Sequence, residues 1–194
     1  MRRPRVILRD VKPSDLDDMI RWFTEETEWM AWDAPWETNI CDIEAIRKRH
    51  LTRLKQASGL EEDAFRTRYE IDTEGGIHIG WVISYPVSGM CDRVPLTDGT
   101  RAIGIDIPSP GHRNKGYGQA ALNLYLDHMT RHGHTTVCLE TWSGNERMVR
   151  VADKIGFTLC QRDVGSRLVD GKRYDGLRFV KRMEHHDQTS PRTV

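Results

Sequence analysis

The sequence predicts a single domain of α/β (α+β) class, built on a mixed, mostly antiparallel central sheet of about seven strands flanked by about four helices. Three observations predict it. Short β-branched or alternating apolar runs take turns with segments whose apolar residues recur every three or four positions, the signatures of strands and amphipathic helices. Two hairpin signals, Asp72-Thr73-Glu74-Gly75-Gly76 and Val169-Asp170-Gly171-Lys172, join neighbouring runs. The run Ile103 to Ala121 reads as a strand, a basic glycine-bearing loop and the first turn of a helix. A chain of 194 residues suits one sizeable core. Residues 1–183 are expected to form the domain, and the polar stretch 184–194 a disordered tail whose His pair is no metal site.

Taken in order, Arg5 to Arg9 is a short strand. Pro13-Ser14-Asp15 opens a helix with Ser14 as N-cap, and Leu16, Met19, Ile20 and Phe23 share one face. Asn39 to Ser58 is a second helix, apolar at Ile43, Ile46, His50, Leu51 and Leu54, and ended by Gly59. Ala64 to Ile71 and Ile77 to Val87 are strands around the first hairpin turn. Residues 88–100 form a loop, and Arg101 to Pro108 a strand. A helix follows from Gly116 to His132 with Ala121, Leu122, Tyr125, Leu126 and Met129 inward. Thr135 to Thr141 is a buried strand. A turn capped by Ser143 or Asn145, with Glu146 as a possible capping-box partner, starts a helix whose apolar face is Met148, Val151, Ala152 and Ile155. Gly156-Phe157 stops that helix and begins a strand through Asp163, and Leu177 to Met183 closes the sheet.

Composition narrows the function. Lys+Arg and Asp+Glu are 29 each, so the net charge is zero, which argues against bulk nucleic-acid binding. No apolar run approaches the ~20 residues that a membrane span needs. The basic N-terminus lacks the apolar stretch of a secretory signal. The cysteines Cys41, Cys91, Cys138 and Cys160 are spread with no Cys-x-x-Cys, so the expectation is reduced thiols in a cytoplasmic protein, without metal or disulfide roles. Four of the six tryptophans, Trp22, Trp29, Trp32 and Trp36, share a segment with Glu25, Glu26, Glu28, Asp33 and Glu37. Aromatic faces beside carboxylates suit an amine or another cation, although core tryptophans behind a solvated acidic face would give the same pattern. Exposed tryptophans also leave a homodimer open.

The central run carries the chemistry. Gly116 and Gly118 remove Cβ atoms where backbone must turn and approach a ligand. The first-turn amides of the following helix lack partners and, with the helix dipole, favour an anion. Arg113 and Lys115 add positive charge. This is a cradle for a phosphate or pyrophosphate. A dinucleotide would use it through the loose fingerprint Gly116-x-Gly118-x-x-Ala121 with Glu140 downstream, but that fingerprint wants its first glycine at the strand end, and here prolines and polar residues intervene.

Arg113-x-x-Gly116-x-Gly118 resembles the acetyl-CoA signature of the GNAT superfamily of N-acetyltransferases, and the element order over residues 5–183 is similar to that superfamily's. Asn145 followed by Gly156-Phe157 resembles its asparagine-to-Gly-Phe helix. Asp170-Gly171-Lys172 with Tyr174-Asp175 resembles the final hairpin of the ribosomal-protein N-acetyltransferase and spermidine acetyltransferase branch, and Trp32-Asp33-Ala34-Pro35-Trp36-Glu37 the aromatic-acidic segment of its polyamine enzymes. The resemblance implies acetyl-CoA as cosubstrate and no metal. It places the cofactor on Ile105, Ile107, Arg113, Asn114, Lys115, Gly116, Tyr117, Gly118 and Asn145, with an oxyanion-binding amide near Ile107. It places a small-molecule amine acceptor on Trp29, Trp32, Asp33, Trp36 and Glu37, and needs neither nucleic acid nor membrane.

The superfamily's usual acid, a tyrosine seven residues after the asparagine, is Ala152 here, and its usual glutamate base aligns with Ile103. The catalytic candidates are therefore Asp106, on the strand before the cradle, Glu140, at the end of the next strand, and Tyr174, in the final hairpin; Ser143 is a weaker donor. The implied activity is direct acetyl transfer from acetyl-CoA to a primary amine, that of a cationic small molecule such as a polyamine or aralkylamine. The alternatives are a protein N-terminal acetyltransferase, a non-catalytic acyl-CoA-binding sensor and, more distantly, a dinucleotide-dependent oxidoreductase.

Overall fold

The computed structural model describes residues 4–37, 42–91, 94–97 and 99–183. The expected tail, 184–194, lies outside them, as does Cys41. Strand β1 (Val6–Arg9) leads into α1 (Asp15–Thr24), a 3₁₀ turn (Thr27–Trp29), the short α2 (Met30–Asp33) and α3 (Ile43–Ser58). Then come β2 (Arg68–Thr73), β3 (His78–Pro86), the two-residue strands β4 (Met90–Cys91) and β5 (Val94–Pro95), and β6 (Arg101–Asp106). The chain continues as α4 (Tyr117–Arg131), β7 (Thr136–Trp142), α5 (Glu146–Lys154), β8 (Thr158–Val169) and β9 (Lys172–Arg182). The main sheet runs β1-β2-β3-β6-β7-β9-β8. Every neighbouring pair is antiparallel except β6 and β7.

Helices cover both faces because the strands carry apolar residues on both. On one face Ala121, Leu122, Tyr125, Leu126 and Met129 of α4 pack on Val82, Ile103, Val137 and Leu139, with Ala152 and Ile155 of α5 beside them. Each such side chain removed from water contributes roughly 1.5–3 kcal/mol. On the other face Met19 and Trp22 of α1, Trp29 and Ile46 of α3 close over Trp81. Trp22 is fully buried, and the indole N–H of Trp29 donates to the Trp22 carbonyl at 2.9 Å. Half of the tryptophan run is therefore core.

Several boundaries differ from the sequence expectation. Ser14 stands at the N-cap of α1 without a side-chain cap bond; the neighbouring Asp15 instead accepts from the Lys12 amide at 2.7 Å and from the Arg9 guanidinium at 2.7 and 2.8 Å. Helix α3 starts at Ile43, because Asp42 caps it by accepting from the Glu44 amide at 3.0 Å. Glu146 occupies the first position of α5 and pairs with Arg150 at 3.1 Å rather than closing a capping box. β8 runs to Val169 and β9 begins at Lys172. Asp170 and Gly171 both take positive φ, 48° and 75°, the tight turn whose twist lets two long strands pair.

The cysteine expectation is corrected. Cys91 and Cys160 form a disulfide, with Cα atoms 5.2 Å apart and a separation of 69 positions in sequence. Spacing could not reveal it. Cys160 sits where the β8–β9 register slips between Leu159 and Gln161, and such a slip re-aims a side chain out of the ladder. Cys138, by contrast, is a free thiol buried in β7.

Candidate active site

The only parallel pair in the main sheet opens the site. β6 and β7 pair from Arg101/Val137 to Ile103/Leu139 and then part, while β6 stays on β3 as far as Trp81/Asp106. The gap beyond Ile103 leaves backbone from Gly104 onward facing Glu140 and Thr141 of β7. Two clefts meet there. One, of about 340 Å³, runs toward the start of α4 and along α5. The other, of about 350 Å³, runs out over the β7–β9–β8 face. Both are lined by Asp33, Gly104, Ile105, Asp106, Glu140 and Thr141.

The first cleft has the chemistry of an anion cradle. Gly116 is the N-cap of α4 in the left-handed conformation (φ 88°), no side chain caps the turn, and no acid lies in the first turn. The first-turn amides are thus left for a ligand. A Cβ on Gly116 would also come within 3.3 Å of Pro4. A Cβ on Gly118 would lie 3.7 Å from Ile107 and 3.8 Å from Ile105, so anything larger projects into the cleft. Arg147, Arg150 and Lys154 of α5 supply cations on the opposite wall. This donor set fits the pyrophosphate of a coenzyme A ester.

Arg113 lines this cleft and is also bound into the loop that forms it. Its guanidinium donates to the carbonyls of Ile107, at 2.9 Å, and Pro108, and pairs with Glu28 at 3.0 Å. It shapes the loop from inside. Asn114, at φ 59°, lines the cleft, Lys115 is exposed beside it, and Tyr117 packs against the main core. Asn145 is the N-cap of α5: its Oδ1 accepts from the Met148 amide at 3.1 Å, and its Nδ2 donates to the Trp32 carbonyl at 2.7 Å. The dinucleotide alternative finds no support in this geometry, because β6 ends at Asp106 and Gly116 follows ten residues later.

The catalytic candidates separate. Asp106 stands at the junction, and its carboxyl is pushed up to about 8, first by withdrawal from water and then by the negative charge of Asp33, with Arg68 and the Trp81 indole N–H pulling the other way. Asp33, at the rim, is raised as well, by partial withdrawal from water and then by Glu37. Glu140 also reaches the junction, but accepts from Arg178 at 2.6 and 2.9 Å and from the Tyr85 hydroxyl at 3.3 Å, so its lone pairs are committed. Tyr174 lines neither cleft; its ring meets Trp142 edge-on at 4.9 Å. Ser143 accepts from the Asp175 amide at 3.0 Å, pinning β7 to the final hairpin. Ala152 is fully buried, so no acid can come from that position. The Cys138 thiol is raised by burial in the strand and is no nucleophile.

The aromatic segment divides as well. Trp29 belongs to the core, although it also borders the first cleft. Trp32 lines the first cleft, and Arg147 lies over its ring at 4.0 Å. Trp36 and Glu37 line the second, and Arg167 lies over Trp36 at 4.5 Å. Both faces expected to meet a ligand's cation thus carry a cation of the protein itself. Sequence reasoning missed Tyr85 and Arg178, which hold Glu140, and Arg68 and Trp81, which flank Asp106. Cross-strand register brings them in, and no local motif marks it.

Among the described residues, no group of side chains could hold a metal and no helix is long and apolar enough to cross a membrane. No curated protein sequence matches the chain. Solved structures do. A ribosomal alpha-N-protein acetyltransferase in complex with coenzyme A superposes with TM-score 0.71 at 14% identity, covering 92% of this chain and 94% of that one. Spermidine N-acetyltransferase from Vibrio cholerae, in complex with coenzyme A and spermine, gives 0.69 at 16% identity over 93% and 97%. The yncA structure from Salmonella typhimurium, with its cofactor acetyl-CoA, gives 0.64 at 17% over 96% and 98%. These likenesses show the fold. The family follows from residues 5–158, which match the acetyltransferase (GNAT) domain, and the chain belongs to that family of acetyl-CoA-dependent enzymes.

Proposed function

We propose that this acetyltransferase acts on the primary amine of a small molecule that arrives as an ammonium ion, the class to which polyamines and aralkylamines belong, and that Asp106 is its general base. The observation that carries this is the meeting of the two clefts at the β6–β7 gap, with Asp106 and Asp33 on its wall. The acetyl donor fits the cleft with the uncapped α4 terminus, and its thioester would lie beside Gly104 to Ile107. The acceptor fits the cleft over β7–β9–β8.

The chemistry then needs little. Asp33, Glu37 and Asp106 draw the ammonium inward. A carboxyl held near 8 is half ionised at about pH 8, and in its ionised form Asp106 can take a proton from the ammonium and release its lone pair. The C–N bond forms as the C–S bond breaks, backbone amides at the gap stabilise the charge on the carbonyl oxygen, and the second proton of the amine nitrogen passes to the departing coenzyme A sulfur or to water. A thiolate leaves readily, so the absence of the usual tyrosine at Ala152 does not bar turnover. Glu140, fixed by Arg178 and Tyr85, forms a wall of the site.

The test is coenzyme A thiol release from acetyl-CoA over polyamines, aralkylamines, aminoglycosides and peptides with free N-termini. Release with small cationic amines supports the proposal. A best acceptor among the peptides would move the protein to the N-terminal acetyltransferases. Tight acetyl-CoA binding with no release from any amine would leave the sensor reading.

A further inference from the structure

The second cleft changes sign along its length. Its floor follows the cross-strand ladder: Glu140, Arg178 and Gln161 in the innermost row, Gly176 and Asp163 in the next, and Arg167, opposite Tyr174, in the outermost. Opposite residues in a ladder share a face, so these side chains look the same way. The inner end is acidic, with Asp33, Asp106 and Glu140. Arg178 there is neutralised by Glu140, and Asp163, one row out, accepts from the Gln161 amide at 2.9 Å. Arg167 in the outer row is different. The β8–β9 register shifts between Asp163 and Arg167, and the Arg167 guanidinium carbon lies over the Trp36 ring, 4.5 Å from its centre. Among the described residues no carboxylate forms an ion pair with it. A guanidinium stacked on an aromatic ring keeps its N–H edge free, a fork that matches a carboxylate or phosphate.

Resting on the proposed acetylation of an ammonium-bearing acceptor, we infer that the acceptor is amphoteric: its amine enters toward Asp33 and Asp106, and an anionic group at its far end is held by Arg167 on Trp36. The four residue steps of β9 from Arg178 to Tyr174 span about 13 Å, and the Arg167 side chain takes up part of that, so amine and anion are separated by on the order of 10 Å. Trp36 is fixed in turn, its ring edge-on to Trp142 at 6.0 Å, while the Trp142 indole N–H donates to the Trp32 carbonyl at 3.0 Å. The clamp is thus tied to the same segment that carries Asp33. A polyamine would meet Arg167 with a second like charge and fits this cleft less well.

The test uses three linear amines of one length, about eight carbons: the ω-amino carboxylate, the α,ω-diamine and the plain alkylamine. Thiol release should favour the amino carboxylate over the diamine by about tenfold or more in kcat/KM, the size of one lost charge-assisted hydrogen bond. Arg167→Gln should collapse that ratio toward one through KM, and Arg167→Lys should restore part of it. Equal or better use of the diamine, or a ratio untouched by Arg167→Gln, overturns the inference. If no amine supports release, calorimetry of the amino carboxylate with coenzyme A-saturated protein decides. Binding that Arg167→Gln removes keeps the clamp and overturns the acetylation reading; no binding, or binding indifferent to Arg167→Gln, overturns the clamp.

Discussion

Asn145 and Trp32 are joined across 113 residues by a 2.7 Å hydrogen bond from the asparagine Nδ2 to the tryptophan carbonyl. The other end of the same amide caps α5. One side chain therefore sets both the start of the helix that lines the first cleft and the position of the segment that carries Asp33 to the junction. The two clefts are aligned through it.

The two jobs can be separated. Asn145→Ala loses both and should lower stability by about 1–2 kcal/mol, or roughly 2–6 °C in Tm for a chain of this size. Asn145→Asp keeps a cap acceptor but has no donor for the Trp32 carbonyl. It should retain most of the Tm and still raise the acceptor KM. Thermal melts beside steady-state kinetics check this; an Asn145→Asp enzyme with an unchanged acceptor KM would detach Asn145 from the acceptor side.

Asp106 makes a pH-dependent prediction with a definite sign. Its carboxyl ordinarily titrates near 3.8 and is pushed up to about 8 in the fold. As general base it is inactive when protonated, so kcat/KM should rise with pH and level off above about 8. Asp106→Asn should remove that limb and lower kcat by roughly 10²–10³. Stability moves the other way. Between the two values the folded state holds the proton more tightly than the unfolded chain, so ionising Asp106 costs the fold increasingly as pH climbs from about 4 to about 8. Asp106→Asn should therefore match the wild type near pH 4 and exceed it in Tm at pH 8. A variant that is slow and no more stable at pH 8 would mean that the carboxyl is not strained in this way.

How far the sequence could be read depends on the range of the interactions. The glycine turn into α4 was legible because its parts are local: Gly116, Gly118 and the α4 start lie within a few residues, and each has its own chemical signature. The inward face of α4 was legible for the same reason. A cation beside glycines reads as a phosphate ligand, and only the fold shows that Arg113 also donates to the Ile107 and Pro108 carbonyls. Trp22 and Trp29 could not be told from Trp32 and Trp36 by composition; Trp81, which turns the first two into core, arrives from a strand about fifty residues on. The pairing of Glu140 with Arg178 and Tyr85 is a matter of register, and the junction itself exists because one parallel ladder stops at Ile103. No local pattern encodes where a ladder stops.

The disulfide predicts a cost for its removal. Cys91 and Cys160 close a loop of about seventy residues, for which chain entropy alone gives about 4 kcal/mol, an upper figure in practice. Cys160→Ser, or the wild type held in reductant, should melt lower by several degrees. The staple also holds the segment whose Met90 carbonyl accepts from Arg178 at 2.9 Å, next to Glu140. Acceptor KM should rise with the loss of the bond while acetyl-CoA affinity stays put. Equal melting of reduced and oxidised protein would show that the two sulfurs are not joined in solution.

The cradle offers the sharpest steric test. Gly118 sits in the first turn of α4, where Ala is a better helix former than Gly by about 1 kcal/mol, and its Cβ would make only ordinary contacts with Ile105 and Ile107. Gly118→Ala should therefore fold at least as stably as the wild type and keep acetyl-CoA binding within a few-fold. Gly118→Trp points an indole into the space beside the free α4 amides. It should keep the fold, as judged by its circular dichroism, and abolish acetyl-CoA binding by calorimetry. The contrast between the two substitutions carries the argument, because one backbone position is probed at constant helix geometry. Retained affinity in a folded Gly118→Trp protein would remove the α4 terminus as the pyrophosphate site and leave the cations of α5, Arg147, Arg150 and Lys154, as the anchor of the cofactor.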